Sequence, residues 1–238
     1  MRGLFITGTD TGAGKTVLSG CLLAAMRAAG ERPVACKPVL TGLEDAAAGA
    51  QGSWPADDEL LATITGAART EVSPLRFGPA VSPHLAAQLA GTPIDPPALL
   101  ARTRATLDGA SAAIVEGVGG LLVPLADGYA VRDLAVELAL PVIVAARPGL
   151  GTINHTLLTL EAGRAAGLDV RAVVLTPWPA QPGVIENSNR ETIERLGDVE
   201  VATLAGLAGP QTQELERAGA TLPWREWLDG RPADQSVG

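Results

Sequence analysis

The chain has 238 residues, enough to bury a full core and better suited to one α/β domain than to two. Hydrophobic residues make up 47% of it but aromatics only 3%, so the interior must be built from Ala, Val, Leu and Ile. A formal net charge of −8 argues against nucleic acid or an anionic membrane surface as partner.

The first residues run from an apolar stretch, 3–7, straight into a glycine-rich turn, which predicts a strand and then a loop and leaves no room for a signal peptide. Residues 16–29 carry helical spacing through Val17, Leu18, Cys21, Leu22 and Ala25, and Gly30 is a suitable stop. A second strand is expected over 33–36, an Ala/Gly-rich surface loop over 45–53, and helices over 57–66, 83–89 and 97–107. Three further strands are expected at 112–115, 141–146 and 170–175, and a last one at 199–204. Helices at 131–138, 154–166 and 184–196 separate them.

Strands that are apolar throughout and alternate with amphipathic helices predict an α/β fold, a mostly parallel sheet covered by helices on both faces. In such folds ligands sit beyond the carboxyl ends of the strands. The most apolar later stretch, 134–146, is broken by Glu137 and Pro141 and is too short to span a bilayer. Cys21 and Cys36 read as small core residues of a reducing compartment, and the whole composition as that of a soluble cytoplasmic protein.

The chain holds 18 basic residues, of which only Lys15 and Lys37 are lysines. A compact, strongly hydrated ammonium does not substitute for a planar guanidinium, so these two positions are candidate functional sites. Gly8-Thr9-Asp10-Thr11-Gly12-Ala13-Gly14-Lys15-Thr16 lies between the first strand and the first helix, the context a phosphate-binding loop requires. Its successive amides and the helix N-terminus suit an anion, Lys15 can reach terminal phosphates, and the Thr16 hydroxyl can ligate Mg²⁺. The spacing departs from the standard pattern by one residue, since Thr9 stands where glycine is usual and Gly8 lies one position further out.

Lys37 follows the second strand and should point into the same cleft, where two ammonium groups suit a reaction with anionic intermediates. Thr41-Gly42 just beyond adds a hydroxyl and a backbone donor. Glu116, expected at a strand end before Gly117-Val118-Gly119-Gly120, is a natural Mg²⁺ ligand beside a nucleotide. Asp57-Asp58-Glu59 opens a helix, where acids are favoured by the dipole anyway, and spacing alone does not choose a metal ligand among them. The segment from Arg147 to His155 is either an amide-lined carboxylate site or a plain turn with Thr152 or Asn154 as cap. His84 and His155 have no spacing that makes a metal site and read as structural.

Four segments together resemble the dethiobiotin synthase family. They are the phosphate loop with its extra residue, Lys37-Pro38-Val39-Leu40-Thr41-Gly42, Val115-Glu116-Gly117-Val118-Gly119-Gly120, and Leu150-Gly151-Thr152-Ile153-Asn154-His155. Weaker similarity passes through 57–61 and Asn187-Ser188-Asn189-Arg190, so the resemblance spans roughly residues 3 to 190, and the last fifty match poorly.

The resemblance implies a P-loop NTPase-like single domain over 1–238. It implies a ligase of biotin biosynthesis that closes the cyclic urea of dethiobiotin from 7,8-diaminopelargonate, CO₂ and a nucleoside triphosphate. Lys15 and Lys37 would be catalytic, holding carbamate and phosphates. The nucleotide would lie on Thr11, Gly12, Ala13, Gly14, Lys15, Thr16 and Val17, with Glu116, Gly117 and Gly119 nearby and Thr176 and Pro177 at the base. Mg²⁺ would be bound by Thr16, Asp57 and Glu116, Asp57 being preferred because it begins an Asp-x-Glu-Leu-Leu stretch like the family's.

The diamine would meet Thr11, Lys37, Thr41 and Gly119. Because the family forms homodimers, Gly151, Thr152 and Asn154 of the other subunit would hold its carboxylate. One departure stands out: Leu175-Thr176-Pro177-Trp178 lacks the Asn that reads adenine in better-known members, so relaxed base selectivity, including CTP, is expected. Two rivals fit less well. A corrin-diamide-type ligase would require a catalytic Cys in a glutaminase domain. A partitioning-type P-loop ATPase switch would require a signature Lys at the start of the loop, where Gly8 and Thr9 stand.

Overall fold

The computed structural model describes residues 2–44 and 54–230. The expected loop at 45–53 and the residues after 230 therefore lie outside the described residues. Six strands form one parallel sheet in the order β10-β9-β8-β1-β5-β2: β1 (Gly3–Gly8), β2 (Pro33–Cys36), β5 (Ala112–Gly120), β8 (Val142–Ala146), β9 (Val170–Trp178) and β10 (Glu200–Ala205). These are the six strands foreseen in the sequence. Their continuous apolar runs are explained by cover on both faces.

Alternation along β1 shows how the two faces divide. Leu4 and Ile6 enter a core shared with Leu18, Leu22 and Met26 of α1 (Lys15–Ala28) and with Leu60, Leu61 and Ile64 of α2 (Asp57–Thr65). Phe5 enters the opposite core with Leu99, Leu134, Leu160 and Ile193. Those residues come from α5 (Pro96–Leu107), α6 (Val131–Leu138), α7 (Thr152–Ala165) and α8 (Val184–Gly197). Two short helices, α3 (Arg69–Val72) and α4 (Pro83–Leu89), lie between α2 and α5. Among the described residues no helix is long and apolar enough to cross a membrane.

Several elements differ from the sequence expectation. The third sheet strand runs to Gly120 instead of ending at Glu116 and Gly117, so Glu116 lies within β5, paired with Ile6. The register then slips, because Gly8 pairs with Gly120, and the glycines between bulge from the ladder. Two small sheets were too short for periodicity to reveal: β3 (Val39–Leu40) beside β4 (Leu75–Arg76), and β6 (Pro124–Ala126) beside β7 (Tyr129–Ala130). The final stretch, for which no element was expected after 204, folds as α9 (Thr212–Ala220) and α10 (Trp224–Asp229), which add Leu215, Trp224 and Trp227 to the core around α1.

Candidate active site

The sheet order places β1 between β8 and β5, and the glycine-rich loop leaves the carboxyl end of β1 to enter α1. Gly14 caps α1 in the left-handed region at φ 89°, and a Cβ there would lie 2.6 Å from Thr176 Cγ2. Only glycine meets both demands. Among the described residues the amides of Gly12, Ala13 and Gly14 have no acceptor within the chain, so the loop offers consecutive free donors beside a helix N-terminus.

Lys15 folds back over the loop and donates to the Asp10 carbonyl at 3.0 Å. Burial pulls its ammonium down to about 8, against the upward influence of Glu116.

Beside the loop four side chains from four elements converge. The Thr16 hydroxyl donates to Glu116 Oε1 at 2.7 Å. Lys37, which follows β2, donates to the same Oε1 at 2.7 Å and also to Asp57 at the start of α2. Glu116 and Lys37 are 0% and 3% exposed, so this pairing is made away from water. Burial by itself lowers the Lys37 ammonium, but Glu116 and Asp57 outweigh it and raise it above the ordinary lysine value. Burial opposes ionisation of Asp57 too, yet Lys37 holds its carboxyl below the usual range. Glu116 Oε2 is buried and has no partner among the described residues.

Thr16, Asp57 and Glu116 thus offer only hard oxygen donors, one of them unsatisfied, which fits a Mg²⁺ that keeps waters and phosphate oxygens as its other ligands. Among the described residues no group of three or more His, Cys, Asp or Glu gathers at any metal-like site.

Lys15, Thr16, Lys37 and Asp57 open onto a cleft of about 670 Å³, whereas Glu116 is buried behind Lys37 and does not line it. Thr11, Lys15, Thr16, Lys37, Thr41 and Asp57 form its polar side, and Leu40, Val81, Val118 and Val123 its apolar side. Gly12, Gly14, Val17 and Gly119 also reach it. Ala13 is wholly buried beneath the loop. Gly117 faces inward, where a Cβ would meet Val131 Cγ1 at 2.9 Å, and Thr176 packs over Gly14 ahead of Pro177. Gly151, Thr152 and Asn154 do not line this cleft. Gly151 and Asn154 are exposed, and the buried Thr152 hydroxyl lies 3.4 Å from that of Thr156. His84 and His155 are both exposed.

Sequence reasoning missed three participants. Asp58, fully buried, is held by Arg69 and Arg76. Val81 closes the cleft from the segment before α4, and Arg147 lies against the phosphate loop. Asp58 and Arg147 both stood in segments already singled out, but nothing in their spacing assigns the carboxylate or the guanidinium its partner.

Two solved structures share the fold at low identity. One is a ParA family ATPase from Chlorobium tepidum TLS, 12% identical with a TM-score of 0.51, covering 95% of this chain and 93% of that one. The other is the signal recognition particle receptor FtsY from Elizabethkingia anophelis, 15% identical with a TM-score of 0.50, of which the match covers 61%. Residues 2–207 match a family described as an AAA domain.

Loop, lysine and parallel sheet together define a P-loop nucleotide-binding protein. The ATP-dependent dethiobiotin synthetase BioD of Mycobacterium sp. (strain JLS) is 41% identical over 233 residues, covering 97% of this chain and 99% of that protein, and the one from Anaeromyxobacter sp. (strain Fw109-5) is 44% identical over 209 residues, covering 84% and 91%. The chain belongs to the ATP-dependent dethiobiotin synthetase family, enzymes that couple nucleotide use to ligation in biotin biosynthesis.

Proposed function

We propose that the enzyme forms the ureido ring of dethiobiotin from 7,8-diaminopelargonate, CO₂ and a nucleoside triphosphate. The observation that carries this reading is the meeting of the chain's only two lysines in one cleft, with Lys37 held from behind by the buried Glu116. One amine of the diamine attacks CO₂ and loses a proton to give a carbamate anion. The carbamate oxygen then takes the γ-phosphoryl group, and the second amine displaces phosphate to close the ring.

Every species after the first step is an anion, and Lys15 and Lys37 supply fixed positive charge where that anionic character develops. The loop amides of Gly12, Ala13 and Gly14 hold phosphates, while Thr11, Thr41 and Gly119 position the diamine. Thr16, Asp57 and Glu116 would hold Mg²⁺, which when bound neutralises phosphate charge in the transfer. Ring closure gains from intramolecular attack, since both amines belong to one bound molecule.

The segment at Gly151, Thr152 and Asn154 reaches substrate only from a second subunit, so the working enzyme is a homodimer. Support comes from Leu150, 99% exposed at the tip of that segment, with Leu122 and Leu158 also exposed at 60% and 57%. We place the enzyme in the cytoplasm, with neither nucleic acid nor membrane as partner. At the base, Leu175-Thr176-Pro177-Trp178 presents no side-chain amide, which supports relaxed selectivity and use of CTP beside ATP.

The test is phosphate release with each of four nucleoside triphosphates, with and without the diamine and bicarbonate, and mass detection of dethiobiotin. Release that needs both co-substrates and yields dethiobiotin is expected. Release indifferent to them would make the protein a nucleotide switch, and strict ATP dependence would overturn the base reading alone.

A further inference from the structure

β8 is the neighbour of β1 in the sheet, with Ala145 opposite Gly8 and the Thr9 amide donating to the Ala145 carbonyl at 3.0 Å. That register delivers Arg147, just past the end of β8, onto the outer side of the phosphate loop. Its Nε donates to the Gly12 carbonyl at 3.1 Å and its Nη2 to the Thr11 carbonyl at 3.4 Å. A Cβ on Gly12 would lie 2.7 Å from Nη2, so the bare glycine is what lets the guanidinium rest there. Among the described residues Arg147 has no carboxylate partner. Its hydrogen bonds among the described residues go to the loop backbone alone.

In a trans peptide the carbonyl and the amide of one unit point in opposite directions. The Thr11 carbonyl shares its peptide with the Gly12 amide, and the Gly12 carbonyl shares its peptide with the Ala13 amide. Holding both carbonyls on Arg147 therefore turns both amides away from it, and neither amide has an acceptor among the described residues. A flexible glycine-rich loop would otherwise lose entropy when its amides align on an anion.

We propose that Arg147 is a positioning residue for the phosphate-binding loop, fixing the Gly12 and Ala13 amides in the orientation that receives nucleotide phosphates. The fork geometry matters: Nε and Nη2 span two successive carbonyls, and a lysine ammonium has no counterpart to Nε. The proposal rests on nucleotide binding by the loop and not on the diamine chemistry, so it is tested without diamine.

Arg147→Ala and Arg147→Lys are compared with the parent by calorimetric titration with the Mg²⁺ complex of a non-hydrolysable ATP analogue. Melting temperatures of the nucleotide-free proteins are recorded alongside. The expected result is affinity weakened on the order of tenfold in both variants, with unchanged melting temperatures. Ethylguanidinium added at millimolar concentration should recover affinity in Arg147→Ala and leave the parent unaffected. Parent-like affinity in Arg147→Ala would overturn the proposal. Full affinity in Arg147→Lys would overturn it too, since charge without the fork would then suffice. Loss of affinity that ethylguanidinium does not recover and that tracks a lower melting temperature would reduce Arg147 to a structural residue.

Discussion

Asp57 and Asp58 are consecutive on the first turn of α2, yet different cations hold them: Lys37 takes Asp57 beside the cleft, and Arg69 with Arg76 takes Asp58 in the interior. A helix turns neighbouring side chains about 100° apart, which separates a carboxylate lining the cleft from one buried as a structural anchor. Asp57→Asn should cost activity on the order of a hundredfold with little change in stability. Asp58→Asn should cost roughly 2 kcal/mol of stability, because charge-assisted bonds to a buried carboxylate are lost. Urea unfolding and steady-state turnover on both variants check this, and the reverse pattern would exchange their roles.

Removing the Lys37 ammonium leaves Glu116 buried beside Asp57 without its cation. Lys37→Met should therefore lose turnover and unfold more readily, by about 3 kcal/mol. Mg²⁺ should restore part of that stability, roughly 1.4 kcal/mol at ten times its dissociation constant, by taking the two carboxylates and Thr16. Thermal melts with Mg²⁺ or EDTA decide it. A variant whose melt ignores Mg²⁺ would speak against these residues as the metal's ligands.

Subunit mixing tests the shared site. Lys37→Met and Asn154→Ala should each be inactive as pure proteins, and co-refolding them should regain up to about a quarter of parent activity through dimers holding one intact site. Mixtures as inactive as either parent variant would place Asn154 outside the partner's site.

Much of this was legible in advance, and the reason differs by element. The bounds expected for Pro33–Cys36, Pro83–Leu89 and Val131–Leu138 agree with those observed, because local apolar spacing and stop residues set them. The phosphate loop was legible because its residues are contiguous. Lys37, Asp57 and Glu116 are another matter: Lys37 lies 20 residues from Asp57 and 79 from Glu116, and only the placement of β2 beside β5 joins them. Strand-end placement brought Lys37 and Glu116 to the cleft in the sequence reading, while Asp57 was chosen by resemblance and not by spacing. The Asp58 clamp and the Arg147 contact were illegible for the same reason, since both are made between distant segments. α9 escaped notice because its buried face is little more than Leu215 and Gly219.

That small face makes α9 sensitive. A Cβ on Gly219 would come within 2.0 Å of the Cys21 carbonyl oxygen of α1, a backbone atom that cannot swing aside. Gly219→Ala should lower stability by about 3 kcal/mol despite its better helix propensity, and the melting temperature should fall with it. An unchanged melt would mean that α9 is free to shift on α1.

Both thiols are shielded. Burial pushes Cys21 and Cys36 up to about 12, leaving almost no thiolate at pH 8. The native protein should resist Ellman's reagent at that pH, and both sulfurs should react at once in denaturant. Rapid labelling of the native chain would contradict the packing around α1 and β2.

Arg2 forks onto Asp229, with Nε to Oδ1 at 2.5 Å and Nη2 to Oδ2 at 2.9 Å, and so joins the start of the first strand to the end of the last described helix. Positions 2 and 230 can accordingly be linked by a short peptide with little loop-closure entropy. A ring closed there, opened afterwards at an exposed turn such as Asp127-Gly128, would give a permuted chain whose phosphate loop lies in the middle of the polypeptide instead of near its beginning.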